Sequence, residues 1–249
     1  MNTNKKSAFT LAEVLITLTV IGVVASITLP TLIKKYQYKQ WTEQLKKSYA
    51  TLNQGFKKML ADDEVFNLAD TEVFKSIGGT CHEFNNPEST NCKNFFINMK
   101  KYFKIVDIKR IDYKYNTLND DREYNNNGNN VIFLADGTLI YSYEFLKFPG
   151  TAYYLGHFRI DINGLKKPNK IGRDIFDFEI GPDGVYPVGG TNINFRKASS
   201  WRDGSVDSAV MCELGSRRVS GYGCAARVLE TGNMDYTVRV NQNSFGSDH

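Results

Sequence analysis

Histidine is scarce in this chain: only His82, His157 and His249 occur among 249 residues. A nucleophilic enzyme needs a nucleophile, a base within reach and a group that orients the base. No Gly-x-Ser-x-Gly and no Cys/His signature accompanies any of the three, and no Gly-rich phosphate loop is present. Neither hydrolytic nor nucleotide chemistry has the residues it needs, so no enzyme is expected. Charge of one sign is lacking too. The net charge is +4, which is too near neutral to argue for nucleic acid. The best basic candidates are Arg217-Arg218, Arg227 and Arg239, with Arg196, Lys197 and Arg202 beside them, and all read as ordinary solvated charge. Internal repeats are absent as well.

What stands out instead is a run without charge. From Phe9 to Ile33 the single ionisable side chain is Glu13. About 20 apolar residues cross a bilayer as a helix, so the run is long enough to span. A carboxylate in hydrocarbon is costly and is read by default as functional. Pro30 removes one helical hydrogen bond near the end of the run. A secretory signal peptide would place its cleavage site after the apolar run. Ala25-Ser26 offers small residues, yet the run continues past them to Ile33. A plain anchor accounts for the length and leaves Glu13 unexplained.

Lys5-Lys6-Ser7-Ala8 followed by Phe9-Thr10-Leu11-Ala12-Glu13 resembles the prepilin processing site of type IV pilins and type II secretion pseudopilins. The resemblance implies a short basic leader, cut between Ala8 and Phe9 by a prepilin peptidase that then N-methylates Phe9. It also implies that Glu13 serves filament assembly and that Pro30 loosens the helix. Ala8 stands where the family usually has Gly, a close substitute in size that implies slower cutting. Lys34, Lys35 and Lys39 on the far flank oppose the positive-inside rule. The processing motif nevertheless requires a cytoplasmic leader, and the orientation follows it. With Lys5 and Lys6 removed, net charge falls from +4 to +2.

Beyond the run, Tyr38, Trp41, Leu45, Tyr49, Leu52, Phe56 and Met59 recur at three- and four-residue steps, which predicts one amphipathic face. Asp70 is placed to cap a short helix over Thr71–Ile77, and Asn91 a second one carrying Phe95, Phe96, Met99, Tyr102 and Phe103 on one side. Ile105–Tyr115 reads as a strand, Asn116–Asn130 as a polar loop, and Val131–Ala135 with Thr138–Tyr143 as a hairpin. His157–Ile162 is a strand, Asp174–Ile180 with Val185–Val188 is a second hairpin, and Ala225–Thr231 is a short helix stopped by Gly232. Ala198–Ser208 and the tail after Tyr236 read as loop. The four cysteines allow three connectivities. Local pairing, Cys81 with Cys92 and Cys212 with Cys224, is the simplest for a domain outside the cytoplasm. Zinc with His82, or free thiols, are the alternatives, and the spacings are too long for the usual structural zinc pairs.

Asp161-x-Asn163-Gly164, then Pro168-Asn169 and Gly172-x-Asp174, resembles the calcium-binding loops of some pseudopilins. Oxygen-rich turns suit a hard cation, and Asp161, Asn163 and Asp174 are the candidate ligands, with Asp183 a further oxygen nearby in sequence. The match to an EF-hand is poor, since Lys166 and Lys167 intrude and Gly172 falls where the bidentate acid belongs. Turn chemistry alone accounts for the same residues. No other cofactor is expected.

The expected architecture is α+β. It comprises a leader (1–8), a membrane-spanning and assembly half of one long helix (9–33), an amphipathic half (34–60) and a pilin-like domain outside the cytoplasm (61–249) built on a small antiparallel sheet. The expected role is a structural subunit of a type II secretion pseudopilus or related filament. Its partners would be homologous subunits, prepilin peptidase and an inner-membrane assembly platform, and it would sit in the bacterial inner membrane before entering the filament. A minor pilin for DNA uptake or adhesion is the alternative. A single-pass anchored domain that never polymerises is another, of a different class.

Overall fold

Helix α1 runs from Leu11 to Asp62 without a break. The computed structural model describes residues 10–146, 154–189, 212 and 221–237. The chain divides into two compact units between Gln40 and Trp41. In the first unit the helix carries apolar side chains on every side from Leu11 to Ile33. Leu11, Leu18, Ile27 and Ile33 are all more than 60% exposed, and Pro30 sits inside the helix with no N–H to donate.

In the second unit the same helix has one buried stripe: Trp41, Leu45, Ser48, Leu52, Gly55, Phe56 and Met59. The three- and four-residue spacing puts these on one side, as the sequence predicts. Tyr49 stacks on Phe178 with ring centroids 5.8 Å apart, and Phe56 lies 5.2 Å from Phe103 and 6.4 Å from Phe74. Gly55 is required by this approach, because a Cβ there would come within 2.3 Å of the Phe103 ring.

Among the described residues seven antiparallel strands follow: β1 (Thr80–His82), β2 (Ile105–Asn116), β3 (Glu123–Leu134), β4 (Leu139–Leu146), β5 (Gly156–Asp161), β6 (Ile175–Gly181) and β7 (Gly184–Pro187). Their order is β2-β3-β4-β5-β6-β7, with β1 added beside β4. Strand β6 is buried along its whole length and forms the centre of the core with Phe158 and Tyr49. A second cluster gathers Tyr113, Tyr115, Val131, Leu139, Tyr141, Ile171 and Ile175. The α+β architecture of a long helix and an antiparallel sheet is therefore as the sequence implies.

Three expectations are corrected. Asn116–Asn130 is not a loop: only 117–122 turns, and Glu123 onward is strand β3, paired with β2 from Asn116↔Glu123 to Ile105↔Leu134. The ladder is made by the backbone, so a run of asparagines is tolerated on an outer ribbon. Gly128 reads as a turn in sequence but sits at a bulge, with φ +66° and its N–H on Asp112 Oδ1 at 3.0 Å. Helix α2 (Glu72–Lys75) is shorter than expected and is capped by Thr71, whose hydroxyl accepts from Phe74 N, because Asp70 belongs to a preceding 3-10 turn. Helix α3 (Lys93–Met99) has Cys92 rather than Asn91 at its N-cap, with no side-chain cap, and ends before Tyr102 and Phe103. The last described helix, α4 (Cys224–Thr231), ends at Gly232 in the left-handed conformation.

All four cysteines are paired locally, Cys81 with Cys92 and Cys212 with Cys224. The first bond ties β1 to the start of α3. His82 approaches Glu144 at 3.0 Å instead of a metal-bound sulfur.

Candidate functional site

Two places carry the candidate residues, and each is built locally. At the start of α1 the spacing Thr10-x-x-Glu13 closes a capping box. Glu13 Oε2 accepts from Thr10 N at 2.8 Å and from the Thr10 hydroxyl at 2.9 Å, while Glu13 N donates to Thr10 Oγ1 at 3.2 Å. These bonds hold two donors that the end of a helix leaves unsatisfied. The other polar side chains of the apolar run are handled the same way. Thr17, Thr19, Ser26, Thr28 and Thr31 each donate to a carbonyl three or four residues back, at 2.8–2.9 Å. Between Thr10 and Ile33, every side chain able to hydrogen-bond thus has a partner in its own helix, and every large apolar side chain faces outward. The helix is long and apolar enough to cross a membrane, where no water exists to satisfy polar groups.

Thr10 and the hydroxyl set were legible in the sequence as a T-x-x-E box and as hydroxyls with carbonyls one turn back. Sequence reasoning singled out Glu13 and passed over its partner. Ala8 and Phe9 lie outside the described residues. So do Arg196, Lys197, Arg202, Arg217, Arg218 and Arg239, the 198–208 loop and the tail beyond Thr237. Arg227 is engaged within the domain, with Nη2 3.5 Å from Asp235 and its guanidinium 5.2 Å above the Tyr236 ring.

The second place is the turn between β5 and β6. Asp161 ends β5 and Asp174 immediately precedes β6, so the pairing Asp161↔Ile175 brings both carboxylates into one buried turn. Asn163 joins them, its Nδ2 donating to Asp174 Oδ2 at 3.1 Å. The three candidate ligands are therefore together. Each carboxylate is also surrounded by donors. Asp161 accepts from Asn163 N at 3.0 Å and from the Tyr113 hydroxyl, and Asp174 accepts from Lys170 N at 2.7 Å and Asn169 N at 2.9 Å. Burial, then the neighbouring Asp174, pushes the Asp161 carboxyl up to about 8. Burial likewise raises Asp174, while the three donated hydrogen bonds oppose it. Two buried amide oxygens, Oδ1 of Asn163 and of Asn169, have no donor among the described residues. Asp183, the further oxygen considered from sequence, is held by the Tyr186 hydroxyl instead.

Residues 3–29 match the prokaryotic N-terminal methylation motif family. The chain carries a prepilin-type methylation motif. This is the recognition element of a prepilin-peptidase substrate, and it covers Lys5, Lys6, Ala8, Phe9 and Glu13. With the long apolar helix it points to membrane anchoring and to a structural subunit of type IV pilin-like kind. No curated protein and no solved structure matches the chain.

Proposed function

We propose that this chain is a structural subunit of a type II secretion pseudopilus or a related type IV pilus-like filament. Prepilin peptidase cuts between Ala8 and Phe9 and methylates the new amine. The apolar half of α1 then holds the subunit in the inner membrane, with the sheet domain outside the cytoplasm, until an assembly platform adds it to homologous subunits. The observation that carries this reading is the methylation motif at 3–29 on a helix whose polar groups are satisfied internally and whose apolar groups are not. Apolar surface left in water is unfavourable by roughly 25 cal/mol per Å², so such a helix needs lipid or neighbouring helices around it.

In a parallel bundle Glu13 of one subunit can meet the cationic amine of a neighbour's Phe9, which offsets the cost of both charges in hydrocarbon. Mass analysis of the mature N-terminus tests the processing step: N-methyl-Phe9 is expected, and a start near Ser26 or an uncut Met1 overturns the reading. Recovery of the subunit in sheared filaments tests assembly. A correctly cut chain that never enters filaments would instead be a single-pass anchored domain. DNA binding by the assembled filament would favour the competence alternative.

We place a second, structural role on the Asp161–Asn163–Asp174 turn, as a site for calcium. The observation favouring it is the pair of donor-free amide oxygens beside two buried carboxylates. The ion would supply a positive charge between like charges, and the carboxylates with Asn163 and Asn169 would hold it. The melting experiment that tests it is set out in the Discussion.

A further inference from the structure

An open depression of about 360 Å³ lies between the first cystine loop and the β2–β3 ribbon. Asn86 and Pro87 come from the loop, Ile108, Lys109 and Arg110 from β2, and Asn130 from β3. Its walls are fixed. The loop is tied down by the Cys81–Cys92 bond, and Asn130 is buried with its Nδ2 donating to Glu83 O at 2.7 Å and Asn85 O at 2.6 Å. Arg110 pairs directly across from Asn130 in the ribbon, so both side chains are on the same face.

The polar groups left over around this depression define what it would take. Asn86 Oδ1 accepts from Glu88 N at 3.0 Å, which leaves its amide nitrogen as a donor. Asn130 has its nitrogen occupied, which leaves its oxygen as an acceptor. Lys109 is held by Asp107 at 3.2 Å and lies 4.7 Å above the Phe133 ring. The exposed Arg110 guanidinium has neither a hydrogen bond nor an ion pair among the described residues. A guanidinium with five donors in a fixed fork matches a carboxylate bidentately. One free donor and one free acceptor beside it match the C=O and N–H of a peptide unit, and Pro87 and Ile108 supply apolar wall.

We propose that this depression is a docking site for an acidic peptide segment, which places an Asp or Glu carboxylate on Arg110 and its adjoining peptide unit between Asn86 and Asn130. The inference does not depend on the filament reading, since the site lies wholly within the sheet domain.

The test is calorimetric titration of the full chain in detergent micelles with acetyl-Gly-Asp-Gly-amide, its Asn counterpart and inorganic phosphate. The Asp peptide should bind about tenfold tighter than the Asn peptide. Arg110→Gln should remove that preference without lowering the melting temperature, because Arg110 supports nothing else. Lys109→Gln should change affinity by no more than about threefold, as a charge already paired and exposed. No heat at millimolar Asp peptide, equal affinity for the two peptides, or an unaltered preference in Arg110→Gln overturns the proposal. Arg110-dependent binding of phosphate without the peptide overturns it too, by assigning the site to a free anion.

Discussion

Between Thr10 and Ile33, α1 keeps its hydroxyls and its one carboxylate bonded inside the helix and turns its leucines, isoleucines and valines outward; after Trp41 the same helix turns Leu45, Leu52 and Phe56 inward and its lysines outward. Secondary structure does not change across Gln40, but the medium each half requires does. A helix segment is assigned its surroundings by which groups it leaves unsatisfied. The first half leaves apolar surface, which in the proposed filament subunit lipid or other helices would cover. The second buries Leu45, Leu52, Phe56 and Met59 of its stripe, with Phe74 and Phe103 packed on Phe56 and Phe178 stacked on Tyr49.

The sharpest way to break this comparison is Glu13, the polar group of the first half with no counterpart in lipid. Glu13→Leu should leave membrane insertion and leader cleavage intact and abolish incorporation into filaments. Cross-linking and sheared-filament yields of the mutant expressed alone measure it, and wild-type yields would remove the assembly role. In the second half the matching change is Phe56→Ala. Phe56 is 1% exposed and touches two further rings, so the loss should be about 3–5 kcal/mol, read by denaturant unfolding of the chain in detergent. A comparable substitution in the first half, Ile27→Ala, should cost the domain nothing.

A smaller effect concerns charge inside the domain. The folded Asp161 carboxyl stands at about 8, well above its ordinary 3.8. Below 3.8 both folded and unfolded states hold the proton, and the stabilising contribution is fully present. As pH rises from about 4 to about 8 the unfolded chain releases the proton and the folded one retains it, so stability falls across that window. Each unit is worth about 1.4 kcal/mol, and relaxation of the turn brings the total down to a few. Melting should therefore occur at a higher temperature at pH 5 than at pH 8, and Asp161→Asn should flatten the slope. A similar loss, roughly 3 kcal/mol in the chain-entropy account, is expected when Cys81 and Cys92 are both replaced by Ser. Melting temperatures of the two forms would measure it.

Much of this was legible from sequence. The 3.6-residue stripe from Trp41 to Met59 fixes the packed face of α1, and the two Gly-containing hairpin turns fix β3–β4 and β6–β7. Asp161, Asn163 and Asp174 share one turn because a strand end and a strand start flank Asn163-Gly164. Other features were hidden for physical reasons. Asn125 to Asn130 carries every signal of a loop, but a ladder on an outer ribbon needs only backbone groups, and Gly128 serves a bulge. Thr71 displaces Asp70 as a cap because the preceding 3-10 turn claims Asp70. The partnership of Tyr113 with Asp161 spans 48 residues and no local pattern announces it.

The smallest expected effect is the one that decides between turn chemistry and a bound ion. As pH rises through about 8 Asp161 releases its proton beside Asp174, whose carboxyl burial also raises, and buried like charges then destabilise the turn that β5 and β6 share. The donated N–H groups offset part of this, and the oxygens of Asn163 and Asn169 contribute nothing without a positive partner. A divalent cation among these oxygens would remove the repulsion and hold both carboxylates deprotonated, so it should bind more tightly as pH rises. For dissociation constants of about 10⁻⁴–10⁻³ M, typical of weak extracellular sites, 10 mM calcium would stabilise the fold by about 1.5–2.5 kcal/mol. That corresponds to a melting shift of about 3 °C or more. The shift should be present at pH 8, shrink at pH 5 and vanish in Asp174→Ala at both. Magnesium should give less, because it demands a tighter octahedron and releases its water reluctantly. Equal melting in calcium and in chelator at pH 8 would leave the turn as a hydrogen-bonded acid pair whose excess charge is met by protons alone.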